Sequence, residues 1–169
     1  MTTGWSTRPN LPALHKVTAA EMDAVLDQVE TLTGAGWFDY SSTFTLTAVS
    51  VNPTKGNSTY LARYRQPTGS DLVQVEVCIT IGSTFVAGSG VYRFSVPVNA
   101  STGSASCAVG VGWIFDSGTA NRTGVVRFDA VSYVNWYLNG STAAIDNTGS
   151  GTAWATGDKI AFSLTYEAA

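Results

Sequence analysis

The stretch Leu72-Val73-Gln74-Val75-Glu76-Val77-Cys78-Ile79-Thr80-Ile81 decides the fold class of this chain. Valine or isoleucine fills every odd-numbered position, whereas polar residues or cysteine separate them. Because successive side chains of a strand point to opposite faces, this period of two predicts a strand with one buried face. Near the end of the chain, residues 159–166 repeat the pattern with Ile160, Phe162, Leu164 and Tyr166 on one face.

Turn-forming clusters rich in Gly, Pro, Asn, Asp and Ser divide the chain after residue 36 into short segments of this kind. They predict strands at residues 43–51, 60–66, 72–81, 90–95, 106–115, 123–128, 131–138 and 159–166. About eight short strands at this spacing are typical of a sandwich or barrel. The sequence therefore predicts an all-β domain, a β-sandwich or jelly roll, over residues 36–169.

The apolar positions of residues 106–115 also follow a period of two and include Cys107, Val109, Val111, Trp113 and Phe115. This pattern predicts that the set faces the core. Cys78 falls on the polar face of its own strand, so we expect the two cysteines to remain unbridged, which fits a reducing compartment.

Three of the five tryptophans, Trp37, Trp113 and Trp136, are interpreted as core residues. The glycines of Gly110-Val111-Gly112 precede no predicted helix, which favours a bulge or turn over a phosphate loop.

Ahead of the β-segment, residues 17–35 carry the signals of one short α-helix. Thr18 is a suitable N-cap and Glu21 completes a capping box, with Val17 and Met22 placed as a hydrophobic staple. Asp23, Asp27 and Glu30 lie away from an apolar stripe formed by Met22, Val25, Leu26, Val29 and Leu32. A helix of roughly 15 residues is marginal in water unless its stripe is covered. The stripe is predicted either to pack on its own β-domain or to be an oligomer interface around a symmetry axis.

The composition excludes several classes of partner. Nine basic and twelve acidic residues give a net charge of −3, and the basic residues are scattered, so nucleic-acid binding is not expected. Only 12% of residues are charged, about half the usual share, which favours neutral, hydrogen-bonding contacts. The sequence has no 18-residue apolar run for a membrane span. The first residues lack the pattern of a signal peptide, and folding in a cytoplasm is expected.

The inventory of reactive side chains is thin. His15 is the only histidine and precedes the β-domain, which argues against a Ser-His-Asp site and against a zinc site. Paired carboxylates remain as the enzymatic option, but most acidic residues adjoin Gly, Ser or Asn at strand ends, where they serve turns. We expect a protein without catalytic residues, metal or cofactor.

Aromatic and asparagine residues near the end of the chain form a candidate glycan platform. An exposed aromatic ring beside an amide can stack on a sugar, and the candidates are Tyr137, Asn139 and Trp154. Packing of these rings into the core is the alternative.

Short pieces along nearly the whole chain resemble small structural proteins of tailed bacteriophages, especially those of actinobacteria. The helix start, Lys16-Val17-Thr18-Ala19-Ala20-Glu21, is similar to segments that precede such domains. The other matching pieces are Asn52-Pro53 with Gly56, Ala62-Arg63-Tyr64, Gly82-Ser83-Thr84, the segment Gly88-Ser89-Gly90-Val91-Tyr92-Arg93-Phe94-Ser95-Val96-Pro97-Val98, Trp154-Ala155-Thr156-Gly157-Asp158 and Tyr166-Glu167-Ala168-Ala169.

This resemblance implies a virion protein assembled in the host cytoplasm: a capsid decoration protein, often trimeric, or part of a tail or head fibre. Its partners would be the major capsid protein or other virion subunits. Residues 1–16, in which Pro9 and Pro12 favour extended backbone, would then form an arm that contacts the capsid. The expected arm contacts are Trp5, Arg8, Pro9, Leu11, Pro12 and Leu14.

Overall fold

The computed structural model describes residues 36–107, 109–117, 120–146 and 153–169. The predicted arm, the predicted helix and all their site residues lie outside the described residues.

In the described residues, nine antiparallel strands form a single sheet, accompanied by one short helix. The strands are β1 (Phe38–Asp39), β2 (Leu46–Ala48), β3 (Thr59–Arg65), β4 (Leu72–Thr80), β5 (Tyr92–Ser95), β6 (Val109–Asp116), β7 (Ala120–Ala130), β8 (Tyr133–Leu138) and β9 (Lys159–Glu167), and the helix is α1 (Thr102–Cys107). Their order across the sheet is β1-β3-β4-β9-β6-β7-β8-β5-β2. The all-β class is confirmed. The expected two-sheet sandwich is replaced by one sheet curled into a half-barrel.

The curl brings distant strands of the sheet into contact across its inner face. Phe94 of β5 and Phe162 of β9 lie 5.3 Å apart between ring centroids, although three strands separate them in the sheet. The Tyr166 hydroxyl donates to the Val98 carbonyl over 2.7 Å and links β9 to the segment after β5. Accumulated strand twist thus lets one sheet enclose its own core.

Strands β4 and β9 bury the residues that the period of two predicted. The side chains of Val73, Val75, Val77 and Ile79 are buried on β4, and Ile160, Phe162, Leu164 and Tyr166 are buried on β9. The two strands pair with Val77 opposite Phe162. Both strands therefore point their apolar sets into the half-barrel.

Strand β6 has the opposite orientation from the one predicted. Ile114 is fully buried, whereas Val111, Trp113 and Phe115 are 65%, 42% and 37% exposed on the outer face. The inner face is occupied by the fully buried Trp136 of β8: a Cβ at Gly112 would collide with its indole nitrogen. The larger side chains must therefore point outward, and Gly110-Val111-Gly112 forms regular strand rather than a bulge.

Helix α1 replaces the predicted start of that strand. The Ser101 hydroxyl caps the helix by accepting from the Ser104 amide over 3.1 Å. Cys107 is the exposed last residue of α1 and not part of an apolar strand face.

Candidate functional site

A groove of about 710 Å³ crosses the outer face of the sheet over strands β3, β4, β9, β6 and β7. The strand register places Leu61 opposite Cys78, Cys78 opposite Ala161, and Ala161 opposite Trp113. These four residues therefore form one row across four neighbouring strands. The position of the groove therefore follows from the pairing of these strands.

Small side chains form the floor of the groove and large ones form its walls. Cys78, Ala161 and Ser163 lie on the two middle strands, β4 and β9. Leu61 rises on one side from β3, and Val111 and Trp113 rise on the other side from β6. The difference in side-chain size is what makes this part of the sheet concave.

The walls expose large apolar side chains. Leu61 is 52% exposed, and the Trp113 ring meets the Phe115 ring edge to face at 6.4 Å. A contiguous apolar patch of this kind on a protein surface commonly marks a contact site. The groove is therefore suited to bury apolar groups of a partner.

Polar groups border the groove on the β3 side. Arg63 forms an ion pair with Glu76 at 2.7 Å, and its guanidinium lies 4.7 Å from the centre of the Trp37 ring. The Arg65 guanidinium also lies near the Trp37 ring, 5.3 Å from its centre. Both guanidinium groups therefore make cation–π contacts with Trp37, and Arg65 adds a positive charge to this rim beside the Arg63–Glu76 ion pair.

Hydrogen-bonding groups border the opposite rim. The Asn139 amide donates to the Thr123 hydroxyl over 2.8 Å, and both residues line the groove. Farther along β7, Arg127 lies 5.4 Å from the centre of the Tyr137 ring. This rim offers an amide and a hydroxyl beside the exposed Trp113.

The structure does not bring the predicted glycan platform together. Tyr137 pairs with Val125, a groove residue, and belongs to the outer face together with Asn139. Trp154 instead packs against the core, with its ring 6.0 Å from that of the buried Tyr92. The two halves of the platform lie on different faces, because the curled sheet accepts Trp154 on its inner side.

Both cysteines are free thiols in very different surroundings. Cys78 is half-buried on the floor of the groove, whereas Cys107 is exposed at the end of α1. They provide an internal pair of reporters, one inside the groove and one outside it.

The carboxylates with described partners serve structural roles. Asp39 accepts from the Ser41 amide over 2.8 Å. Hydrogen bonding to the Ser41 side chain, and then to its backbone amide, lowers the pKa of the Asp39 carboxyl. Asp158 is fully buried and accepts from the backbone amides of Ser117 and Ala155. In the described part of the chain, no group of three or more His, Cys, Asp or Glu residues is placed to hold a metal ion.

Sequence reasoning missed the large exposed residues that line the groove, Leu61, Val111 and Trp113. The alternation of glycine with large apolar residues along β6 was the available signal. It marks a strand whose inner face must accommodate a bulky neighbour, here Trp136.

Comparison with known proteins finds no match: no protein-family model, no curated protein and no solved structure is similar to this chain. Among the described residues, no helix is both long enough and apolar enough to cross a membrane.

Proposed function

We propose that this protein is a non-enzymatic structural protein of a tailed-phage virion, a homotrimeric decoration protein bound to the shell of major capsid subunits. The observation that carries the proposal is the exposed apolar groove, in which Leu61, Val111 and Trp113 project from neighbouring parts of one hydrogen-bonded sheet. Such a surface is suited to bury protein surface of a neighbouring copy in the trimer.

Burial of the apolar side chains of the groove would supply most of the binding free energy. Covering one large apolar side chain contributes about 1.5–3 kcal/mol, so three or four of them supply most of a modest protein contact. The chain has few charges for steering, and many copies on one shell would convert modest affinity into stable decoration.

The surroundings of three described carboxylates, Glu76, Asp129 and Asp158, are consistent with a non-enzymatic role. Glu76 is paired with Arg63, and Asp129 is paired with Arg93 at 2.6 Å. Asp158 is fully buried, and each of its carboxylate oxygens accepts from a backbone amide. A general acid or base requires a carboxyl that meets a substrate, and these three are engaged elsewhere.

The experiment is localisation on intact particles together with measurement of the oligomeric state. Gold-labelled antibody should mark the capsid shell, and purified protein should sediment as a trimer that rebinds shells stripped of it. Tail proteins labelled in parallel serve as the control. A monomeric protein absent from virion shells would contradict the proposal.

A second candidate function is recognition of a host cell-surface glycan at the tip of a tail or head fibre. The observation that favours it is the exposed Trp113 ring in one groove with the Asn139 amide and the Thr123 hydroxyl. An apolar ring beside such polar groups suits a sugar. Trp113→Ala should then abolish binding on a glycan array, whereas Val86→Ala, at an exposed apolar position outside the groove, should retain it. No binding by the wild-type chain to glycans or host cells would exclude this candidate.

A further inference from the structure

We propose that the groove on the outer face is the seat of the helix predicted at residues 18–32 of this chain. In this arrangement the stripe formed by Met22, Val25, Leu26, Val29 and Leu32 covers Leu61, Val111 and Trp113. The inference extends the proposed role in assembly. It rests on the proposed function for one point only, namely that the helix comes from a neighbouring copy in the trimer.

The width of the groove fits a helix. Its walls stand on β3 and β6, which are three strand spacings apart, or roughly 14 Å. An α-helix with its side chains is about 10–12 Å in diameter. The small side chains of Cys78, Ala161 and Ser163 between the walls leave room for a helix to settle.

The row of apolar residues on β6 and the stripe of the predicted helix also agree in length. Val111, Trp113 and Phe115 follow one another on β6 over about 13 Å, because alternate residues of a strand are about 6.7 Å apart. As a helix, the stripe from Met22 to Leu32 spans about 15 Å. The two apolar rows can therefore match along their whole length.

The described chain begins beside the groove. Trp37 rests on Arg63, which lines the groove. Only residues 33–36 separate the end of the predicted helix from Trp37, and they reach at most about 14 Å. The copy whose groove receives the helix must therefore lie directly beside the start of the described chain in the copy that supplies it. Gly34 and Gly36 in this link permit a sharp turn.

The charges are complementary. Residues 17–35 contain four carboxylates and neither lysine nor arginine. The outer face carries Arg65 on β3, Lys159 on β9 and Arg127 on β7, in addition to Arg63, whose charge is already paired with Glu76. At roughly 100° per residue, Glu21 falls on one flank of the stripe, and Asp23 and Glu30 fall on the other. The flanking carboxylates can therefore approach the cationic rims while the stripe faces the floor.

The first test uses the natural thiols of the full chain. Alkylation of Cys78 is followed by mass spectrometry relative to Cys107 in the wild type and in Val25→Asp/Val29→Asp. A matched control, Ala24→Asp/Thr31→Asp, adds the same charge on the opposite side of the predicted helix. We expect Cys78 to react at least fivefold faster in the stripe variant than in the control. Equal rates would overturn the proposal.

The second test does not require the helix to be displaced. In a Cys107→Ser background, Val25→Cys should form a disulfide with Cys78 on mild oxidation, whereas Thr31→Cys should not. Disulfide-linked dimers and trimers on a non-reducing gel would show that the helix binds the groove of a neighbouring copy. A disulfide within one chain would show that it binds the groove of its own copy. Failure of Val25→Cys to cross-link, or equal cross-linking of Thr31→Cys, overturns the proposal.

The outcomes separate this inference from the proposed function. A disulfide within one chain leaves the groove occupied by the helix but contradicts a trimer held by the stripe. Absence of the protein from virions contradicts the virion role and leaves the cross-link unaffected.

Discussion

Two glycines on neighbouring strands make room for the largest buried side chain. Gly112 of β6 and Gly124 of β7 are register partners, and the Trp136 ring lies across both on the inner face. A Cβ at Gly124 would collide with the Tyr137 backbone carbonyl and would come within 2.8 Å of two ring carbons of Trp136. Because interiors are close-packed, neither residue can grow without displacing the indole.

Gly124→Ala should therefore destabilise the fold by about 1–3 kcal/mol, the usual result of overpacking a core. Gly103→Ala is the control, since a Cβ there meets nothing within 4 Å. It should be neutral or stabilising by about 0.5–1 kcal/mol. Urea unfolding followed by tryptophan fluorescence measures both, and equal midpoints for the two variants would contradict the role given to Gly124.

Two buried tyrosines offer a contrast in hydrogen bonding. The Tyr166 hydroxyl donates to the Val98 carbonyl, whereas the buried Tyr40 hydroxyl has no partner among the described residues. Tyr166→Phe leaves a carbonyl unsatisfied and should reduce the free energy of unfolding by about 1–3 kcal/mol. Tyr40→Phe should be neutral or slightly stabilising. The prediction fails if urea denaturation shows a larger loss for Tyr40→Phe.

The burial of four tyrosines predicts that the folded protein loses stability at alkaline pH. Burial raises the pKa of Tyr60 and of Tyr92 to about 12 and also raises the pKa of Tyr40 and of Tyr166. A raised folded-state pKa means that the unfolded chain loses its phenolic protons first. The protonated tyrosines therefore make their full contribution to the free energy of unfolding below about pH 10. This contribution is lost as the pH rises toward about 12.

Urea midpoints measured between pH 8 and pH 11.5 should therefore be flat at first and then fall above pH of about 10. Tyr92→Phe removes one of the titrating groups and should make the fall shallower. A midpoint that stays constant to pH 11.5 would contradict the prediction.

At the scale of elements, the sequence predicts those strands whose two faces differ in polarity. β4 and β9 alternate apolar with polar residues, and their orientation is confirmed. In β6, glycine alternates with large apolar residues, so the pattern gives the strand but not its orientation, which is set by Trp136 from β8. α1 has no buried residue and no apolar stripe, and its Ser101 cap is a weak signal in a serine-rich chain.

A buried carboxylate holds the start of β9 in place. Asp158 accepts from the Ser117 amide after β6 over 2.8 Å and from the Ala155 amide over 2.7 Å. Its backbone carbonyl also accepts from the Ile81 amide after β4 at 2.8 Å. One residue therefore joins the ends of three strands.

Asp158→Asn should loosen this junction. An asparagine has one acceptor oxygen and turns an NH₂ group toward the second backbone amide, which leaves a buried donor unsatisfied at a cost of about 1–3 kcal/mol. The exposed Asp71→Asn is the control and should change stability by less than about 0.5 kcal/mol. Hydrogen exchange at Ser117 and Ala155 should accelerate in Asp158→Asn alone, and unchanged exchange there would exclude the role.

At the scale of the whole molecule, a period of two shows that one strand face is buried but not what buries it. A second sheet or the far part of the same sheet satisfies the pattern equally. The contact of Phe94 with Phe162 depends on the pairing of strands distant in sequence, which short-range patterns do not encode. The outer groove escaped sequence analysis for the same reason, since its row from Leu61 to Trp113 forms only when four strands align.

Assembly provides the last prediction, because the stripe and the groove are proposed to meet across copies. Val25→Asp and Val111→Asp should each shift the trimer toward monomer in sedimentation, since each places an unpaired charge in an apolar contact at a cost of several kcal/mol. Val86→Asp is the control, because Val86 is similarly exposed at 59% but does not line the groove. Val25→Asp combined with Val111→Lys should recover part of the trimer, since charges that meet across one interface couple. Additive losses in the double variant would show that the two surfaces do not face each other.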